Sequence, residues 1–556
     1  MSGSLLLQAS FGLEAVTWTS INWSACHRRV RSLQRRIVQA VQAGAWRKVK
    51  RLNYLLVNSF SALALAVKRV TENKGRKTPG VDGEIWDTPE LKAQAVQRLA
   101  DVQGYQPRPL KRKYIAKKNG KRRPLSIPVM EDRGRQAVHL QALSPIAETQ
   151  ADHNSYGFRV KRRCADAIDQ CFKILRQKTS ANGILEGDIK GFFDYLSFQW
   201  IEQNIPMDKR ILSKWLRSSY REDETYHPTT QGVPQGGLVS PVIGNLALDG
   251  MEQLVKGKSE RFRRRHNIHF VRYADDFIVT ANNREVLEDL IPEREAFLAV
   301  RGVSLSKEKT KITPINKGFD FLGQTIRKHP RPNGKPAKLQ ITPSKASFQD
   351  IKETIRAICK SHKGATPDKL INKLNPVLRG WANYHRHIIC IERFSKVDSF
   401  VWGRVYRWCK RRHPDKTGRW IAKRYFLHDK RSGWHFTDPA TGNSLIKIAE
   451  KVKQQRHIKI KGAANPFDPQ WDDYFQNRDR KHSRANTTGF KARIYAVQDG
   501  LCPACQQMIT DDEDLILHHR DGERRNNALA NLVFYHPNCY FQVYNEPDSK
   551  IEWSRL

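Results

Sequence analysis

RYADDFIVT, residues 272–280, places two adjacent aspartates between apolar residues that favour β-strands. The flanks, HFVRY before the pair and FIVTA after it, are rich in β-branched and aromatic residues. This pattern predicts a β-hairpin with Asp275 and Asp276 at its turn. Two like charges held side by side either face water or bind a cation, because otherwise they repel each other.

A third carboxylate precedes this hairpin in the chain. In ILEGDIKGFFDYLS, residues 184–197, Asp188 ends an apolar run and precedes a turn into a predicted helix. A carboxylate at a strand end and two at a hairpin turn can converge on one face of a sheet. Three such carboxylates suit two Mg²⁺ ions, and two ions about 4 Å apart can assist an in-line phosphoryl transfer. The residue pattern alone leaves a solvated acidic pair as an open alternative.

The composition indicates a polyanionic partner. The chain has 98 Lys and Arg against 56 Asp and Glu, which gives a formal net charge of +42 and a pI near 10.0. A basic excess of this size favours nucleic acid as the partner. The length of 556 residues predicts roughly three or four domains, and 39% hydrophobic residues suffice for packed cores.

No targeting or membrane segment is predicted. The start, MSGSLLLQASFGLEAV, lacks the basic region of a signal peptide. The longest apolar run, residues 54–67, is shorter than the roughly 20 residues that cross a bilayer, so we expect a buried helix there. Nine cysteines in so long a chain do not indicate a disulfide scaffold. We therefore expect a cytoplasmic protein of bacterial type, associated with the nucleoid and not with a membrane.

Seven motifs occur in the order that reverse transcriptases use, and the chain most resembles the reverse transcriptase–maturase encoded within group II introns. They are TPGVDG (78–83), RRPLSIPVMEDRGRQAVHLQAL (122–143), YGFR (156–159), DIKGFFD (188–194), TTQGVPQGGLVSPVIGNLALDGME (229–252), YADD (273–276) and FDFLGQTI (319–326). The resemblance implies an α/β multidomain protein. It would have a right-hand polymerase with fingers and palm around an antiparallel sheet, an α-helical thumb or maturase domain, and a small ββα-metal HNH module.

The resemblance also assigns the polymerase metal site. It implies that Asp188, Asp275 and Asp276 are catalytic and bind two Mg²⁺ ions. The backbone carbonyl of Ile189 would be a further ligand.

Nucleotide-binding residues follow from the same resemblance. Phe193 matches the aromatic residue beneath the incoming sugar, where a bulky ring excludes a 2′-hydroxyl. Gln235 matches the residue near the 3′-hydroxyl of the nucleotide. Arg123 and one of Lys117 or Lys118 are placed to grip the triphosphate of a dNTP, where paired cations bind strongly. Core packing for Phe193 and a solvated face for the lysine remain alternatives.

A basic and aromatic stretch, WGRVYRWCKRRHPDKTGRWIAKRYF (402–426), predicts RNA binding. It carries nine Lys and Arg against one Asp, interleaved with six aromatic residues. Basic groups neutralise phosphates and rings stack on unpaired bases, and this stretch resembles the maturase domain that grips intron RNA. A helical domain with a merely solvated basic face is the alternative. The predicted RNA contacts are Arg404, Arg407, Lys410, Arg411, Arg412, Arg419, Lys423 and Arg424.

The C-terminal cysteines predict a structural zinc site. CPAC (502–505) and HPNC (536–539) supply Cys502, Cys505, His536 and Cys539 at a spacing suited to one tetrahedral ion.

The residues between these two motifs resemble an HNH nuclease. The resemblance implies that His518 and Asn531 belong to a second divalent metal site and that His519 activates water. The family pattern ends in CH, but here Tyr540 follows the last cysteine. A phenol is a poor metal ligand at pH 7, so His518 lacks its usual partner unless Asn531, a water or Asp521 replaces it. We expect a folded module with weak or absent DNA cleavage.

These features divide the chain into five predicted regions. Residues 1–75 form a basic, RNA-binding extension, and residues 76–330 form the fingers and palm of a reverse transcriptase. Residues 331–450 form the thumb or maturase domain. Residues 451–490 have few aliphatic side chains and are expected to be a linker or loosely packed DNA-binding region. Residues 491–556 form the zinc and HNH-like module.

The predicted protein is an RNA-directed DNA polymerase and splicing maturase that binds group II intron RNA, target DNA and dNTPs. Reverse splicing by the RNA would cut one DNA strand, the nuclease would nick the other, and the polymerase would extend the new 3′ end. A homodimer is left open. Three rivals are a domesticated reverse transcriptase of a defence or diversity-generating system, a splicing factor with an inactive polymerase, and a stand-alone nuclease.

Overall fold

The computed structural model describes residues 17–73, 75–116, 120, 122–333, 335–429, 433–486, 490–509, 515–523 and 525–544. Over these ranges the chain forms helices around five small sheets, together with three short 3-10 helices, Trp18–Ser20, Pro469–Trp471 and Leu529–Asn531. Within the same ranges, no helix has the length and apolar character needed to cross a bilayer.

Helices build the N-terminal region, and their apolar faces pack against a long helix that follows. They are α1 (Trp23–Gln42), α2 (Trp46–Val57), α3 (Phe60–Glu72) and α4 (Pro89–Ala100). The single buried helix predicted for residues 54–67 is wrong. The chain breaks at Asn58–Ser59, because the Ser59 side chain accepts a hydrogen bond from the Ala62 amide and caps a new helix. Tyr54, before the break, is 68% exposed.

The next region alternates strands and helices, as the sequence predicts for a mixed α/β region. Its elements are β1 (Leu110–Ala116), β2 (Arg122–Ile127), α5 (Met130–Gln150), α6 (Cys164–Leu175), β3 (Gly183–Gly187), α7 (Phe192–Tyr195), α8 (Phe198–Asn204), α9 (Lys209–Leu216), β4 (Tyr220–Glu222) and β5 (Thr225–His227). Strands β1 and β2 form a basic antiparallel hairpin, which β4 and β5 extend in the order β2-β1-β4-β5.

A second group of elements contains three strands of the central sheet and the three strands of a separate sheet. The elements are α10 (Ser240–Leu248), α11 (Met251–Lys256), α12 (Glu260–His266), β6 (His269–Tyr273), β7 (Asp276–Ala281), α13 (Arg284–Asp289), α14 (Ile291–Ala299), β8 (Lys311–Pro314), β9 (Phe319–Phe321), β10 (Gln324–His329) and β11 (Lys338–Pro343). The central sheet has the order β6-β7-β3-β8, and all its strand pairs are antiparallel. Its helices bury one apolar core against it. Strands β9 to β11 form the separate sheet.

Helices dominate the region after the central sheet. The helices are α15 (Lys345–Ser361), α16 (Pro367–His385), α17 (Ile391–Arg412), α18 (Gly418–Tyr425) and α19 (Ile448–Lys451). A hairpin of two strands, β12 (Phe426–Asp429) and β13 (Gly433–Phe436), lies between α18 and α19 in the chain. The helical character predicted here is present, but the β12–β13 hairpin was not predicted. Phe426 and Phe436 are paired across it and buried in the helical core, which anchors the hairpin.

Residues 451–490 are not loosely packed over their described part. Ile460, Ala464 and Phe475 are buried in the core beneath the central sheet. The carboxylate of Asp166 accepts a 2.7 Å hydrogen bond from the Ile460 amide and also contacts Arg478. The polar composition of residues 451–490 wrongly predicted loose packing. The carboxylate that accepts the hydrogen bond of Ile460 belongs to Asp166, almost 300 residues earlier in the chain. DNA binding by this segment stays a prediction.

The last described elements are α20 (Asp472–Asn486), α21 (Phe490–Val497), the antiparallel pair β14 (Ile516–His519) and β15 (Leu532–Tyr535), and α22 (Pro537–Tyr544). The four predicted zinc ligands are all buried in this small unit. Its apolar residues join the same hydrophobic cluster as residues of the N-terminal helices.

Candidate active site and metal centre

Strand pairing brings the three predicted carboxylates to one end of the central sheet. Tyr273 pairs with Asp276 across the β6–β7 hairpin, so the turn consists of Ala274 and Asp275. Gly187, the last residue of β3, pairs with Phe277 of β7. Asp188, one residue beyond Gly187, therefore emerges beside Asp275 of the turn and Asp276 at the start of β7.

Glycine is needed where β3 meets β7. A Cβ atom on Gly187 would lie only 2.1 Å from the ring of Phe277, which covers the backbone at that point. Because the ring occupies the place of a side chain, only glycine at this position allows Gly187 and Phe277 to pair beside Asp188.

A buried arginine holds the turn from below. Arg272 is fully buried, donates a 3.2 Å hydrogen bond to the carbonyl of Ala274, and forms an ion pair with Asp249. Ala274 has a φ of +56°, an uncommon conformation for a residue with a side chain. Gly157 packs so closely that a Cβ there would lie 2.3 Å from the Ala274 nitrogen. Sequence reasoning missed this support, although YGFR and NLALD belong to the recognised motifs.

The site is electrostatically suited to a divalent cation. Partial burial, together with the charges of Asp275 and Asp188, raises the pKa of Asp276 to about 6, although its side chain keeps contact with solvent. Burial also raises the pKa of Asp275, an effect that the charges of Arg123 and Lys309 oppose. Carboxylates that disfavour one another's ionisation gain stability when a cation lies between them.

Lys309 is a site residue that the sequence did not reveal. Its ammonium group donates to both carboxylate oxygens of Asp188, at 3.0 and 2.9 Å, and its side chain is 65% exposed. Residues 304–306 run beside Asp188: the Ser306 amide donates to the carbonyl of Asp188, and the predicted ligand Ile189 bridges Leu305. This backbone pairing positions Ile189 and fixes the strand end.

Hydrogen bonds connect the segments of two predicted nucleotide-binding residues, Phe193 and Gln235, to each other and to β2. Phe193 packs edge-on against Phe192 with ring centroids 5.0 Å apart, and its carbonyl accepts a 2.7 Å hydrogen bond from Val233. The Gln235 side chain donates to Asp194 at 3.0 Å, and its carbonyl accepts from Ser126 of β2.

One predicted triphosphate contact, Arg123, belongs to the β1–β2 hairpin. Arg123 is exposed on β2, and its charge reaches Asp275. The backbone bond between Ser126 of β2 and Gln235 connects this hairpin to the site. The predicted triphosphate contact at Lys117 or Lys118 lies outside the described residues.

Three family models match the chain in succession. The N-terminal domain of reverse transcriptase matches residues 18–99, the reverse transcriptase (RNA-dependent DNA polymerase) domain residues 115–326, and the group II intron maturase-specific domain residues 348–426. Protein YkfC of Escherichia coli is 30% identical over 345 residues, which cover 54% of this chain and 90% of that protein.

The chain belongs to the group II intron-encoded reverse transcriptases. The group II intron-encoded protein LtrA of Lactococcus lactis is 27% identical over 427 residues, covering 61% of this chain and 70% of LtrA. Maturase-like protein 1 of Euglena gracilis is 21% identical over 371 residues, covering 66% of this chain and 76% of that protein. The enzyme is thus an RNA-directed DNA polymerase with a reverse-transcriptase-like fold of helices and antiparallel sheets.

The maturase-specific part of this reverse transcriptase presents a basic face. Seven of the eight cations predicted to contact RNA are exposed, and Arg404 is half-buried over the ring of Phe400. Within the described residues, none of the eight forms an ion pair with a carboxylate, so their charges are available to a polyanion. Lys410 also donates to the carbonyl of Lys416 just after α17, and Arg412 donates to the carbonyl of Ala365 in the loop between α15 and α16.

The same face extends onto a helix that the sequence analysis did not single out. Lys352 and Arg356 of α15 lie 5.1 Å from the centroid of the Phe400 ring, and Arg393 lies 5.1 Å from that of Phe348. The spacing of Phe348, Lys352 and Arg356 at every fourth residue was the available signal, since such residues share one face of a helix.

The four predicted zinc ligands come together in the reverse transcriptase's C-terminal module. The ligand atoms of Cys502, Cys505, His536 and Cys539 all lie within 4.8 Å of one another and are buried. His536 Nδ1 lies 3.3 Å from the sulfur of Cys505 and 3.9 Å from that of Cys539. A tetrahedral zinc ion with bonds of about 2.3 Å would separate its ligands by about 3.8 Å. The four residues therefore fit one such ion.

The predicted nuclease residues have other neighbours. His518 is packed against aromatic rings, with centroids 5.4 Å away at Tyr540 and 4.1 Å away at Tyr544. The Asn531 amide donates to Asp521 and to the carbonyl of Asn526, so it holds the loop after β14. Among the described residues of this module, the cluster of Cys502, Cys505, His536 and Cys539 is the single group of three or more His, Cys, Asp or Glu whose ligand atoms lie close enough to share one ion.

His519 lies on the opposite side of β14 from His518, because neighbouring residues of a strand point to opposite faces. Its Nε2 atom is 3.3 Å from Asn527 Oδ1. Tyr544, which follows Tyr540 by one helical turn on α22, was not singled out from the sequence. Tyr540 places a phenol ring where the family pattern has a histidine, and Tyr544 adds a second phenol ring beside His518.

Proposed function

We propose that Asp188, Asp275 and Asp276, with the Ile189 carbonyl, hold two Mg²⁺ ions that assist RNA-templated DNA synthesis. The observation that carries the proposal is the β3–β7 register, which sets Asp188 beside the hairpin turn. When bound, such ions activate the primer 3′-hydroxyl and neutralise charge on the leaving oxygen. Extension of a DNA primer on an RNA template with dNTPs tests the assignment.

The protein's own side chains would select and orient the incoming dNTP. Phe193, held by Phe192 and by the close approach of Gly244, would form the floor beneath the sugar. Gln235 would contact the nucleotide near its 3′-hydroxyl. Arg123, together with Lys117 or Lys118, would bind the triphosphate, because guanidinium and ammonium groups bind phosphate oxygens strongly.

The basic face of α15, α17 and α18 would bind intron RNA, promote its splicing and carry it to a DNA target by reverse splicing. The polymerase would then extend a 3′ end of the target DNA along the RNA. Support comes from the exposed cations that have no carboxylate partner among the described residues and from Trp402, which is 47% exposed and stacks on Tyr406. Exposed rings beside cations provide stacking surfaces for unpaired bases.

Removing two cations of this face should weaken RNA binding in a salt-dependent way. In the double variant Arg411→Ala and Lys423→Ala, each lost phosphate contact should lower the slope of log K against log salt by about 0.7 to 1. Filter binding of intron RNA between low and physiological salt gives this slope. Lys396→Ala is the matched control, because that cation lies on the same helix but is paired with Glu392. Equal slopes for the double variant and the wild type would contradict the RNA-binding role.

The C-terminal module would bind one structural zinc ion through Cys502, Cys505, His536 and Cys539. Its HNH-like hairpin would hold DNA with little or no cleavage. Support comes from His518, whose neighbours on α22 are the phenols of Tyr540 and Tyr544. A phenol with a pKa near 10 is a poor ligand for a divalent metal at neutral pH.

Replacing Tyr540 by histidine should therefore raise nicking. Tyr540→His places an imidazole opposite His518, and we expect Mg²⁺-dependent nicking of double-stranded target DNA above the wild-type level. In that background, His519→Ala should lower the nicking rate by about 10²- to 10⁴-fold, the usual contribution of a general base. Robust wild-type nicking that His519→Ala abolishes would show that the natural module is an active nuclease.

A further inference from the structure

The two ends of the described chain meet at the C-terminal cysteines. Residues of the N-terminal helices and of the C-terminal module share one buried cluster, and Gln542 of α22 donates a hydrogen bond to the carbonyl of Ile21. The members that bring the two parts together include Ile21, Trp23, Leu63, Val67, Cys502, Cys505, Cys539 and Tyr540. A module on a free tether would not bury its metal ligands against another region of the chain.

A buried lysine of α3 faces the metal ligands. Lys68 is 6% exposed, and its ammonium nitrogen lies 3.8 Å from the sulfur of Cys539. It also lies 3.4 Å from Glu72 Oε1 and 5.5 Å from the centroid of the Trp23 ring. A buried lysine is almost always paired with a group of opposite charge. The position of the Lys68 ammonium beside the sulfur of Cys539 therefore needs an explanation in terms of charge.

Charge balance supplies this explanation. A divalent zinc ion with three thiolates and one neutral imidazole carries a net charge of −1, and the four ligands are buried. A buried charge is costly unless an opposite charge lies close by. The Lys68 ammonium provides that charge on the sulfur side, and it also pairs with Glu72, whose side chain is 26% exposed but whose facing Oε1 atom is buried.

We infer that Lys68 stabilises the C-terminal metal site by contact with one of its cysteine ligands, and that metal binding at this site holds the module on the N-terminal helices. The inference rests on the proposed zinc site. Zinc binding and docking on α3 would then stabilise each other, because a ligand that binds only the docked state favours that state. The module would thereby hold the N-terminal helices in place, a role that does not depend on DNA cleavage.

Chelator competition on the full-length protein tests the role of Lys68. Lys68→Met keeps the length of the side chain and removes its charge, and we expect an apparent zinc affinity about 10- to 100-fold below that of the wild type, the usual effect of losing an outer-shell partner. The control is Lys50→Met, which removes an exposed cation of α2 and should leave zinc affinity unchanged. Equal zinc affinities for Lys68→Met and the wild type would overturn the inference while leaving the zinc site itself intact.

Hydrogen exchange on the wild type gives a second readout that needs no variant. Removal of zinc by a chelator should speed amide exchange in α3 and around Ile21, and readdition of zinc should restore protection. Unchanged exchange in these segments, in a protein that has lost its zinc, would overturn the inference that zinc holds the module on the N-terminal helices. If elemental analysis finds no zinc in the purified wild-type protein, the zinc site is refuted, and the inference that rests on it is refuted as well.

Discussion

Asp275→Ala is expected to abolish DNA synthesis and to leave RNA binding nearly intact. The carboxylate lies at the β6–β7 turn, whereas the basic face lies on α15, α17 and α18. Loss of a metal ligand removes several kcal/mol of transition-state stabilisation, so extension of a primer on RNA should fall by at least about 10³-fold. The measurement is single-turnover extension alongside filter binding of intron RNA.

Asp289→Ala is a suitable control for this variant. Asp289 is the last residue of α13. Its replacement removes the same charge as Asp275→Ala, but at a residue that does not contact the three carboxylates. Wild-type extension is expected in the control, together with wild-type RNA affinity in both proteins. Joint loss of synthesis and of assisted splicing in a folded Asp275→Ala protein would contradict the separation of the two functions.

Phe193→Val should admit ribonucleotides. The smaller side chain leaves space beneath the sugar, so a 2′-hydroxyl no longer meets the ring. We expect the ratio of kcat/KM for dNTP over rNTP to fall by about 10- to 200-fold, the range over which the shape of a pocket discriminates between small groups. Steady-state extension with each nucleotide gives the ratio.

Phe198→Val separates sugar selection from packing. Phe193 and Phe198 are both half-buried against the same core, but Phe198 contacts Arg217, with the guanidinium 5.2 Å from its ring centroid. The control should lose similar packing and keep the wild-type ratio. If Phe193→Val also keeps that ratio, the residue has only a packing role.

Local patterns predicted the elements that carry the proposed chemistry. The β-branched and aromatic residues on both sides of Asp275 and Asp276, and the short spacing of the two runs, predict a hairpin, and the structure forms β6 and β7 there. The strand that ends before Asp188 was predictable for the same reason. CxxC and HxxC spacings likewise predicted which four residues meet, because each pair lies within one turn of chain.

Contacts between distant segments could not be predicted from the sequence. Lys309 meets Asp188 only because β8 pairs with β3, and Arg272 is identified as a support only through Asp249 and the turn carbonyl. The packing of residues 451–490 depends on Asp166, which no local pattern connects to them. Such contacts are made by single side chains at long range, so they leave no periodic signal.

Metal ligation, sugar selection and RNA binding are properties of complexes, whereas strand register and side-chain contacts belong to the protein alone. The register places the carboxylates together, but the identity of the bound ions depends on their coordination and on the substrate phosphates.

The most direct measurement of the central claim is Mg²⁺-dependent extension of a DNA primer on an RNA template by the purified protein. Asp188→Ala, Asp275→Ala and Asp276→Ala are assayed in parallel with the wild type. The account predicts that the wild type extends the primer with dNTPs and that each variant, folded and able to bind RNA, loses extension by at least about 10³-fold. Near-wild-type extension by any one of the three variants would contradict a shared metal site at this end of the central sheet.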